Sequence, residues 1–281
     1  MAIRFTKMHG LGNDFMVIEA HHGDPLPDTS TWRKLSDRHT GVGFDQALVV
    51  LPPHQSYSVA SYKIFNADGG EVEQCGNGAR CVAEWLRLSA RLSDQAVQMG
   101  FSLDSPGGRI EVRFREPGMV SVSMGTPHFL TEGNTTLSVV NRDVTFTEVS
   151  MGNPHIVLRV DEVDVAPVAT LGALLESHPR FPSRTNVGFL QVIDRAHARL
   201  RIFERGVGET LACGTGACAA MAVGRRSGWF GDDVDIRLPG GSLQISWRGE
   251  NSVLWMTGPA AVAYRGQVDF LRGASSHEQS G

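Results

Sequence analysis

The feature that most constrains the fold is an internal repeat. Residues 65–79 align without a gap to residues 203–217, at a constant offset of 138 residues (213 − 75). Phe65 matches Phe203, Glu71 matches Glu209, and each segment contains the sequence Cys-Gly-x-Gly-Ala. A repeat of this length is typical of two related structural units that fold in the same way. The sequence therefore predicts two similar halves, each with one cysteine at an equivalent position.

The pattern of apolar residues predicts many short strands and few helices. Apolar and β-branched residues alternate or run together, between Gly, Pro, Asn and Asp, as expected for strands. The predicted strands cover residues 3–6, 15–19, 47–51, 58–65, 109–114, 120–124, 139–149, 156–160, 187–193, 198–204, 234–238, 242–247 and 253–257. The predicted helices cover residues 31–38, 77–92, 168–176 and 215–227. The expected fold class is α+β, with a mostly antiparallel sheet and one central helix in each of two pseudo-symmetric domains.

We expect one domain to consist of residues 1–120 together with 260–281, and the other of residues 121–259. The first domain contains Cys75 and the second contains Cys213.

The composition excludes several functional classes. The formal net charge is −4 and no basic run occurs, so no nucleic-acid partner is expected. No apolar stretch is long enough to cross a membrane and the first residues lack a signal-peptide pattern, which favours a cytoplasmic location without membrane association. The three lysines, Lys7, Lys34 and Lys63, lie in no recognisable Schiff-base site, so pyridoxal phosphate is not expected. We predict no cofactor.

The four cysteines are expected to be thiols, because disulfides are rare in a reducing compartment. Cys81 and Cys218 fall inside predicted helices, where a cysteine usually packs as a small apolar residue. A zinc site is the obvious alternative for four cysteines. The spacings Cys-x5-Cys and Cys-x4-Cys are poor for zinc and the sequence has no Cys-x-x-Cys pair, so no metal is predicted.

Cys75 and Cys213 each precede Gly-x-Gly at the start of a predicted helix. The unpaired N–H groups at a helix start can bind a carboxylate and are expected to lower the pKa of a nearby thiol. If the two helix starts face each other, a thiolate and a thiol lie on opposite sides of one cleft. That arrangement suits inversion of a carbon by two bases, since one group removes a proton while the other donates one.

Several polar residues stand near these motifs. Each of five asparagines in Gly- or Pro-flanked turns could be a turn residue alone, but together they could bind a small zwitterion; they are Asn13, Asn66, Asn77, Asn153 and Asn186. His155 could tune or relay a proton for a thiol, or could be an ordinary turn histidine. Glu204 aligns with Asn66 in the repeat, which raises the prospect that both line the site.

These motifs closely resemble the diaminopimelate epimerase family over most of the chain. They are Gly12-Asn13-Asp14-Phe15, Asn66-Ala67-Asp68-Gly69, Cys75-Gly76-Asn77-Gly78-Ala79-Arg80-Cys81, Gly152-Asn153-Pro154-His155, Thr185-Asn186-Val187, Glu204-Arg205-Gly206-Val207-Gly208-Glu209-Thr210 and Cys213-Gly214-Thr215-Gly216. The resemblance implies an isomerase that interconverts LL- and meso-2,6-diaminopimelate, for lysine and peptidoglycan precursors, without a cofactor or metal. It also implies two domains, each a β-barrel-like sheet around a central helix, and a homodimer.

The resemblance assigns a role to individual residues. Cys75 and Cys213 are expected to be the catalytic acid/base pair, and His155 and Glu204 to tune their pKa values. The expected substrate-binding residues are Asn13, Gln46, Asn66, Gly76, Asn77, Asn153, Asn186, Glu204, Arg205, Gly214 and Thr215. Among them, backbone N–H groups at Gly76-Asn77 and Gly214-Thr215 would hold the carboxylate at the reacting carbon. Tyr264 is expected at the dimer contact.

Two alternatives remain open at this point. One is a related racemase of another amino acid, of the proline, hydroxyproline or histidine type, although Arg205 favours a substrate with a second carboxylate. The other is a thiol-based metal or redox sensor without catalytic activity. Phe44 and Gly188 depart from the usual family residues and could change the shape of the pocket.

Overall fold

The structure is a computed structural model and describes residues 2–72, 75–116, 118–140 and 142–269. The strands in these ranges are β1 (Ala2–Gly10), β2 (Asn13–Glu19), β3 (Gln46–Leu51), β4 (Ala60–Asn66), β5 (Glu71–Val72), β6 (Phe101–Ser105), β7 (Gly108–Glu116), β8 (Met119–Ser123), β9 (His128–Phe129), β10 (Thr135–Val139), β11 (Arg142–Ser150), β12 (Pro154–Arg159), β13 (Asn186–Val192), β14 (His197–Glu204), β15 (Gly208–Thr210), β16 (Asp233–Leu238), β17 (Gly241–Ser246), β18 (Trp255–Pro259) and β19 (Ala261–Asp269). The helices are α1 (Thr29–Ser36), α2 (Gly76–Leu88), α3 (Asp94–Met99), α4 (Val168–Glu176) and α5 (Gly214–Arg226).

The order of strand pairing repeats along the chain. In the first half β1 pairs with β2, β2 with β3 and β3 with β4, and β6, β7 and β8 follow side by side. In the second half β11 to β14 and then β16 to β18 pair in the same sequence. The parallel pairs also recur, because β2–β3 and β4–β6 match β12–β13 and β14–β16. The remaining pairs are antiparallel, as the sequence predicts.

Two further pairings connect distant parts of the chain. Strand β8 of the first half pairs with β18 of the second, from Ser123 opposite Trp255 to Met119 opposite Pro259. Strand β19 returns to the first half and pairs with β1 along its length, from Ala2 opposite Asp269 to His9 opposite Ala261. The sheet therefore runs continuously from one half into the other. The division into domains at residues 120 and 260 stays a prediction, and residues 270–281 lie outside the described ranges.

Helices α2 and α5 occupy equivalent central positions. Residues 76–84 of α2 and 216–224 of α5 are all buried, so these helices contact the protein on nearly every side. The small residues of α5 permit this close approach: a Cβ on Gly216 would lie 2.2 Å from Ile202, and one on Gly224 would lie 2.2 Å from Phe230. One apolar core includes residues of both helices, and smaller cores lie beneath α1 and α4.

The predicted helices at 31–38, 77–92, 168–176 and 215–227 agree with α1, α2, α4 and α5, within a few residues at the ends. The predicted strand over 139–149 corresponds to β11 but starts too early, because β10 ends at Val139, Val140 has φ 47°, and β11 begins at Arg142. Helix α3 and strands β5, β6, β9, β10, β15 and β19 were not predicted. In the part of the chain that the structure describes, no helix is long and apolar enough to cross a membrane.

Candidate active site

Cys75 and Cys213 are the N-cap residues of α2 and α5, at equivalent places in the two halves. The sulfur of Cys75 accepts a hydrogen bond from the backbone N–H of Gly78, at 3.3 Å. Cys213 makes no such cap bond; its thiol donates instead to Oε2 of Glu204, at 2.9 Å. The two thiols therefore share a position in the repeat but differ in their hydrogen-bond partners.

The starts of the two helices are in contact. Asn77 Nδ2, in the first turn of α2, donates to the carbonyl oxygen of Ala212, which immediately precedes Cys213, at 3.3 Å. Met256 packs against both helix starts, because a Cβ added at Gly76 would lie 2.5 Å from its Cε and one at Gly214 3.0 Å from its Sδ. A side chain at either glycine would displace Met256, and at Gly76 also Met124, so the close packing at the helix starts favours glycine at both positions.

The expected lowering of the thiol pKa values is wrong for the ligand-free protein. Burial raises the pKa of Cys75 to about 11, although the Gly78 N–H works in the other direction. Burial also raises the pKa of Cys213 well above its usual value, and the neighbouring Glu204 carboxylate adds to this effect. The cost of removing a thiolate from water thus exceeds the stabilisation from the helix N–H groups. Both cysteines are neutral thiols near neutral pH.

Glu204 lies at the end of β14 and accepts two hydrogen bonds through its two oxygens, one from Cys213 and one from the hydroxyl of Thr210. Burial raises the pKa of Glu204, and these two bonds only partly oppose that rise. A carboxylate with a raised pKa in contact with a thiol can accept the proton of that thiol. Glu204 is therefore placed to act on Cys213.

Asn66 occupies the position equivalent to Glu204, at the end of β4. Its Oδ1 accepts from Nε2 of Gln46, at 2.9 Å, across the β3–β4 pair. The Oε1 atom of Gln46 is buried without a hydrogen-bond partner among the described residues. A buried amide oxygen in this state could accept from a ligand N–H group.

His155 lies on β12 and is buried. Its Nε2 is 2.9 Å from Oδ1 of Asn153, and Nδ2 of Asn153 lies 3.5 Å from the hydroxyl of Thr215. Burial, with a further contribution from the Arg205 charge, lowers the pKa of His155 to about 3. His155 is therefore neutral and donates through Nε2, so it orients Asn153 towards the first turn of α5.

Asn186 and Arg205 form the adjoining edge of the site. Asn186 starts β13 opposite His155, and its Nδ2 donates to the carbonyl oxygen of Pro154 at 2.9 Å. Its Oδ1 accepts from the backbone N–H of Arg205 at 3.0 Å. The Arg205 side chain is exposed and donates to the carbonyl oxygen of Ser183 at 3.2 Å. Its guanidinium is therefore available to an anion at the mouth of the site.

Asn13 connects the site to a charged network that the sequence analysis missed. Its Oδ1 lies 3.9 Å from the Cys75 sulfur and accepts from Nδ2 of Asn77 at 3.1 Å, and its Nδ2 donates to Asp45 at 3.0 Å. The neighbouring Asp14 pairs with Lys7 and Arg38. Their hydrogen bonds outweigh the effect of burial and hold the pKa of Asp14 well below its usual value. Gly12-Asn13-Asp14 was visible as a motif, whereas Lys7 and Arg38 carried no local signal.

Three further residues discussed in the sequence analysis make none of the contacts described above. Cys81 and Cys218 are fully buried inside α2 and α5, in agreement with a packing role, and all four cysteines are free thiols. Tyr264 lies on β19, away from the cysteines in the fold, with its hydroxyl 3.4 Å from the carbonyl oxygen of Val42. Within the described ranges, no group of three or more His, Cys, Asp or Glu residues is arranged to hold a metal ion.

Comparison with known sequences identifies the family. The sequence profile described as diaminopimelate epimerase matches residues 5–130 and 147–263. The diaminopimelate epimerase of Ectopseudomonas mendocina is 52% identical over 280 residues, which cover 95% of this chain and 99% of that protein. The chain belongs to the diaminopimelate epimerase family. The diaminopimelate epimerase of Stutzerimonas stutzeri, at 51% identity and the same coverage of both chains, agrees with this assignment.

Solved structures with low sequence identity show that the diaminopimelate epimerase family shares its fold with other proteins. A hydroxyproline epimerase from Agrobacterium vitis superposes with a TM-score of 0.73 at 17% identity, over 95% of this chain and 92% of that one. A probable proline racemase from Agrobacterium radiobacter gives a TM-score of 0.75 at 15% identity, over 97% and 94% of the two chains. These likenesses agree with the predicted α+β fold of two similar halves.

Proposed function

We propose that this chain is an isomerase that interconverts LL- and meso-2,6-diaminopimelate, a step in the synthesis of lysine and peptidoglycan precursors. The observation that carries the proposal is the close identity to diaminopimelate epimerases over nearly the full chain. The two equivalent thiols at touching helix starts support it, because inversion of one carbon needs a proton acceptor on one face and a donor on the other.

The proposed reaction has two proton transfers at one carbon. The thiolate of one cysteine removes the α-proton of the substrate, and the thiol of the other cysteine gives its proton to the opposite face. The stereochemistry is inverted, and each cysteine ends in the protonation state in which its partner began. Cys213 reaches the thiolate form by passing its proton to Glu204, 2.9 Å away. Cys75 reaches it by releasing its proton to water before the substrate binds, and the Gly78 N–H then stabilises the thiolate. No redox step or cofactor is needed.

The carboxylate at the reacting carbon is held by backbone N–H groups in the first turns of the two helices, at Gly76-Asn77 and Gly214-Thr215. Negative charge builds up on that carboxylate as the proton leaves, and the N–H groups at the two helix starts stabilise it. The remaining polar atoms of the substrate are bound by side chains of the surrounding turns; these are Asn13, Gln46, Asn66, Asn153, Asn186, Glu204 and Arg205. Arg205 suits the distal carboxylate because its guanidinium is exposed and can bind with two parallel hydrogen bonds.

We also propose the domain division, dimer and location inferred from the sequence. Pairing of β19 with β1 supports assigning residues from 260 onwards to the first domain. Strand β19 pairs on one side only among the described strands and exposes Val262 and Tyr264, which supports a homodimer with Tyr264 at the contact. The four free thiols support a cytoplasmic location.

The test is to incubate the purified protein, with reductant and no added cofactor, with LL-diaminopimelate in deuterated water. We expect the meso isomer to form with solvent deuterium at the inverted carbon, as followed by chiral chromatography and mass spectrometry. Racemisation of proline, hydroxyproline or histidine without turnover of diaminopimelate would show that the protein is a related racemase with a different substrate. Absence of exchange with every amino acid tested would overturn the enzymatic proposal and favour a thiol sensor.

A further inference from the structure

Arg80, the fifth residue of α2, is a fully buried arginine that the proposed reaction does not use. Its relative exposure is 0%. Its guanidinium donates to Oδ1 of Asn77 at 2.9 Å, contacts the sulfur of Met256 at 3.5 Å and lies 3.4 Å from the carbonyl oxygen of Pro259. Two of these partners belong to β18 of the other half. The side chain therefore lies at the junction of the halves, close to both helix starts.

The fold leaves a slot of the right size for this side chain. A Cβ on Gly10 of β1 would lie 2.9 Å from Nη2 of Arg80, and a Cβ on Gly258 of β18 would lie 3.3 Å from its Cζ. Two strands thus present glycine where the guanidinium passes between them. This fit indicates that the guanidinium has one defined position.

The Arg80 charge has no carboxylate within ion-pair distance in the part of the chain that the structure describes, whereas its helix neighbour Arg87 pairs with Glu84 at 2.6 Å. Burying an unpaired charge is costly, and such groups cluster at functional sites. The hydrogen bonds of Asn77, which Arg80 fixes, agree with such a role. Asn77 donates to Asn13, which lies near the Cys75 sulfur. It also donates to the carbonyl oxygen of Ala212, the residue before Cys213.

The internal repeat shows that Arg80 breaks the symmetry of the two halves. At the offset of 138 residues, Arg80 aligns with Cys218, and Glu204 aligns with Asn66. The half that contains Cys75 thus has a buried cation on the helix that Cys75 caps, and the half that contains Cys213 has a carboxylate bonded to the cysteine. The other titratable groups near Cys75 are Cys81 on α2, Tyr62 on β4 and Glu204 on β14, and Cys218 on α5 lies near Arg80. Arg80 is the cation of this set.

We propose that Arg80 is a positioning residue that makes the two thiols unequal in the resting enzyme: it fixes Asn77 between the helix starts and favours the thiolate at Cys75. Cys213 meanwhile keeps its proton in the hydrogen bond to Glu204 and passes it to that carboxylate only during turnover. The proposal rests on the proposed two-thiol function. Coulombic attraction to a buried cation stabilises an anion nearby, and a carboxylate beside a thiol destabilises the thiolate. In the resting enzyme Cys75 then loses its proton at a lower pH than Cys213.

The test measures the alkylation rate of each cysteine separately against pH, by iodoacetamide labelling and peptide mass spectrometry. In the unchanged protein we expect the rate at Cys75 to rise at lower pH than the rate at Cys213. The opposite order would overturn the proposal whether or not any variant folds. The readout does not depend on turnover, so failure of the diaminopimelate assay and failure of this inference are distinguishable.

Three variants separate the charge from the packing. Arg80→Gln keeps a donor for Asn77 but removes the charge, and we expect Cys75 to be alkylated on the order of tenfold more slowly near neutral pH, the effect of about one pKa unit. Arg80→Lys restores a charge and most of the rate at Cys75. Arg87→Gln, on the same helix, is the control and should leave the alkylation rate at Cys75 unchanged. A folded Arg80→Gln protein in which Cys75 reacts at the same rate or faster would show that Arg80 only fills space.

Discussion

His155 shows how one buried side chain can tie the site to the pH dependence of folding. It is neutral because burial disfavours the imidazolium, and its Nε2 proton holds Asn153 towards Thr215. The folded pKa of about 3 lies below the ordinary value of 6.5. The contribution of His155 to stability is therefore fully present above pH 6.5 and is lost progressively as the pH falls towards 3, because only the unfolded chain takes up the proton.

The variant His155→Gln tests this linkage. It keeps an amide donor for Asn153 but cannot titrate, so we expect its free energy of unfolding to decrease less on acidification. The difference in this decrease from the unchanged protein, between pH 8 and about pH 4.5, should be about 2.7 kcal/mol. Urea unfolding at each pH measures it. The matched control is His128→Gln, an exposed histidine whose replacement should leave the slope unchanged; identical slopes for all three proteins would contradict a neutral buried His155.

At the residue scale the sequence was informative where a pattern repeats. Cys75 and Cys213 could be found because the motif Cys-Gly-x-Gly-Ala contains both, and Glu204 because it aligns with Asn66. The direction of the thiol pKa shift could not be predicted, since it depends on how deeply the helix starts are buried. The burial of Arg80 was equally hidden, because glycines on two distant strands create its slot.

At the scale of elements, α4 sets the position of the strand that carries Glu204. Gly172 in the middle of α4 faces Phe203 on β14, and a Cβ there would lie 2.6 Å from the Cβ of Phe203. Phe203 immediately precedes Glu204, whose carboxylate contacts Cys213. Close packing of this helix therefore supports the geometry of one thiol.

We expect Gly172→Ala to destabilise the protein although alanine is the better helix former. The gain in helix propensity is about 1 kcal/mol, while overpacking typically costs about 1–3 kcal/mol, so a small net loss should remain. Because β14 must move, epimerase activity should also fall, which thermal unfolding and the deuterium assay would detect together. Gly133→Ala is the control, since nothing lies within 4 Å of its added Cβ. A more stable and equally active Gly172→Ala would argue against tight contact between α4 and β14.

Elements with a strong local pattern were predicted and others were not. Helices α2 and α5 begin at the Gly-x-Gly motifs and carry long apolar runs, so their starts were located to within a residue. Strand β10 was not predicted, and the start of β11 was placed three residues too early because Val139 and Val140 extend its apolar pattern up to the turn. Strand β19 was missed because its side chains are mostly exposed and it forms by pairing with β1.

At the scale of the whole molecule, three turns from distant parts of the chain meet beside the site. Gly240, between β16 and β17, donates its N–H to the carbonyl oxygen of Leu211 at 2.8 Å. A Cβ on Gly240 would lie 2.1 Å from the carbonyl oxygen of Leu11, in the turn between β1 and β2. Leu211 is two residues from Cys213 and Leu11 two residues from Asn13. This contact therefore keeps the Asn13 and Cys213 sides of the site together.

The variant Gly240→Ala should separate these turns. The clash is with backbone atoms that no side-chain rotation can relieve, so we expect a loss of about 2 kcal/mol or more in the free energy of unfolding. Activity should decrease further than stability explains, measured at a temperature where the variant is fully folded. Gly231→Ala, at the other end of β16, is the control, because its Cβ would lie 3.8 Å from the carbonyl oxygen of Arg195. Equal activity in Gly240→Ala and Gly231→Ala would show that the turn contact is unimportant for the site.

The overall plan was predictable in part. The repeat indicated two halves with the same order of strands around equivalent helices, and the pairings agree with that order. The pairing of β8 with β18 was not predictable, because both strands are compatible with many antiparallel partners. The pairing of the exposed strand β19 with β1 was not predictable for the same reason.

The pairing of β1 with β19 has a consequence for synthesis on the ribosome. Strand β1 leaves the exit tunnel long before β19, its described neighbour, and residues 11–260 must emerge between them. Residues of the first half can begin to collapse early, but one flank of β1 stays without its neighbour until β19 has been synthesised. An open strand flank is a site for pairing with other chains. The nascent protein is thus exposed to misassembly at β1, and the translation speed between β1 and β19 should affect the yield of folded enzyme.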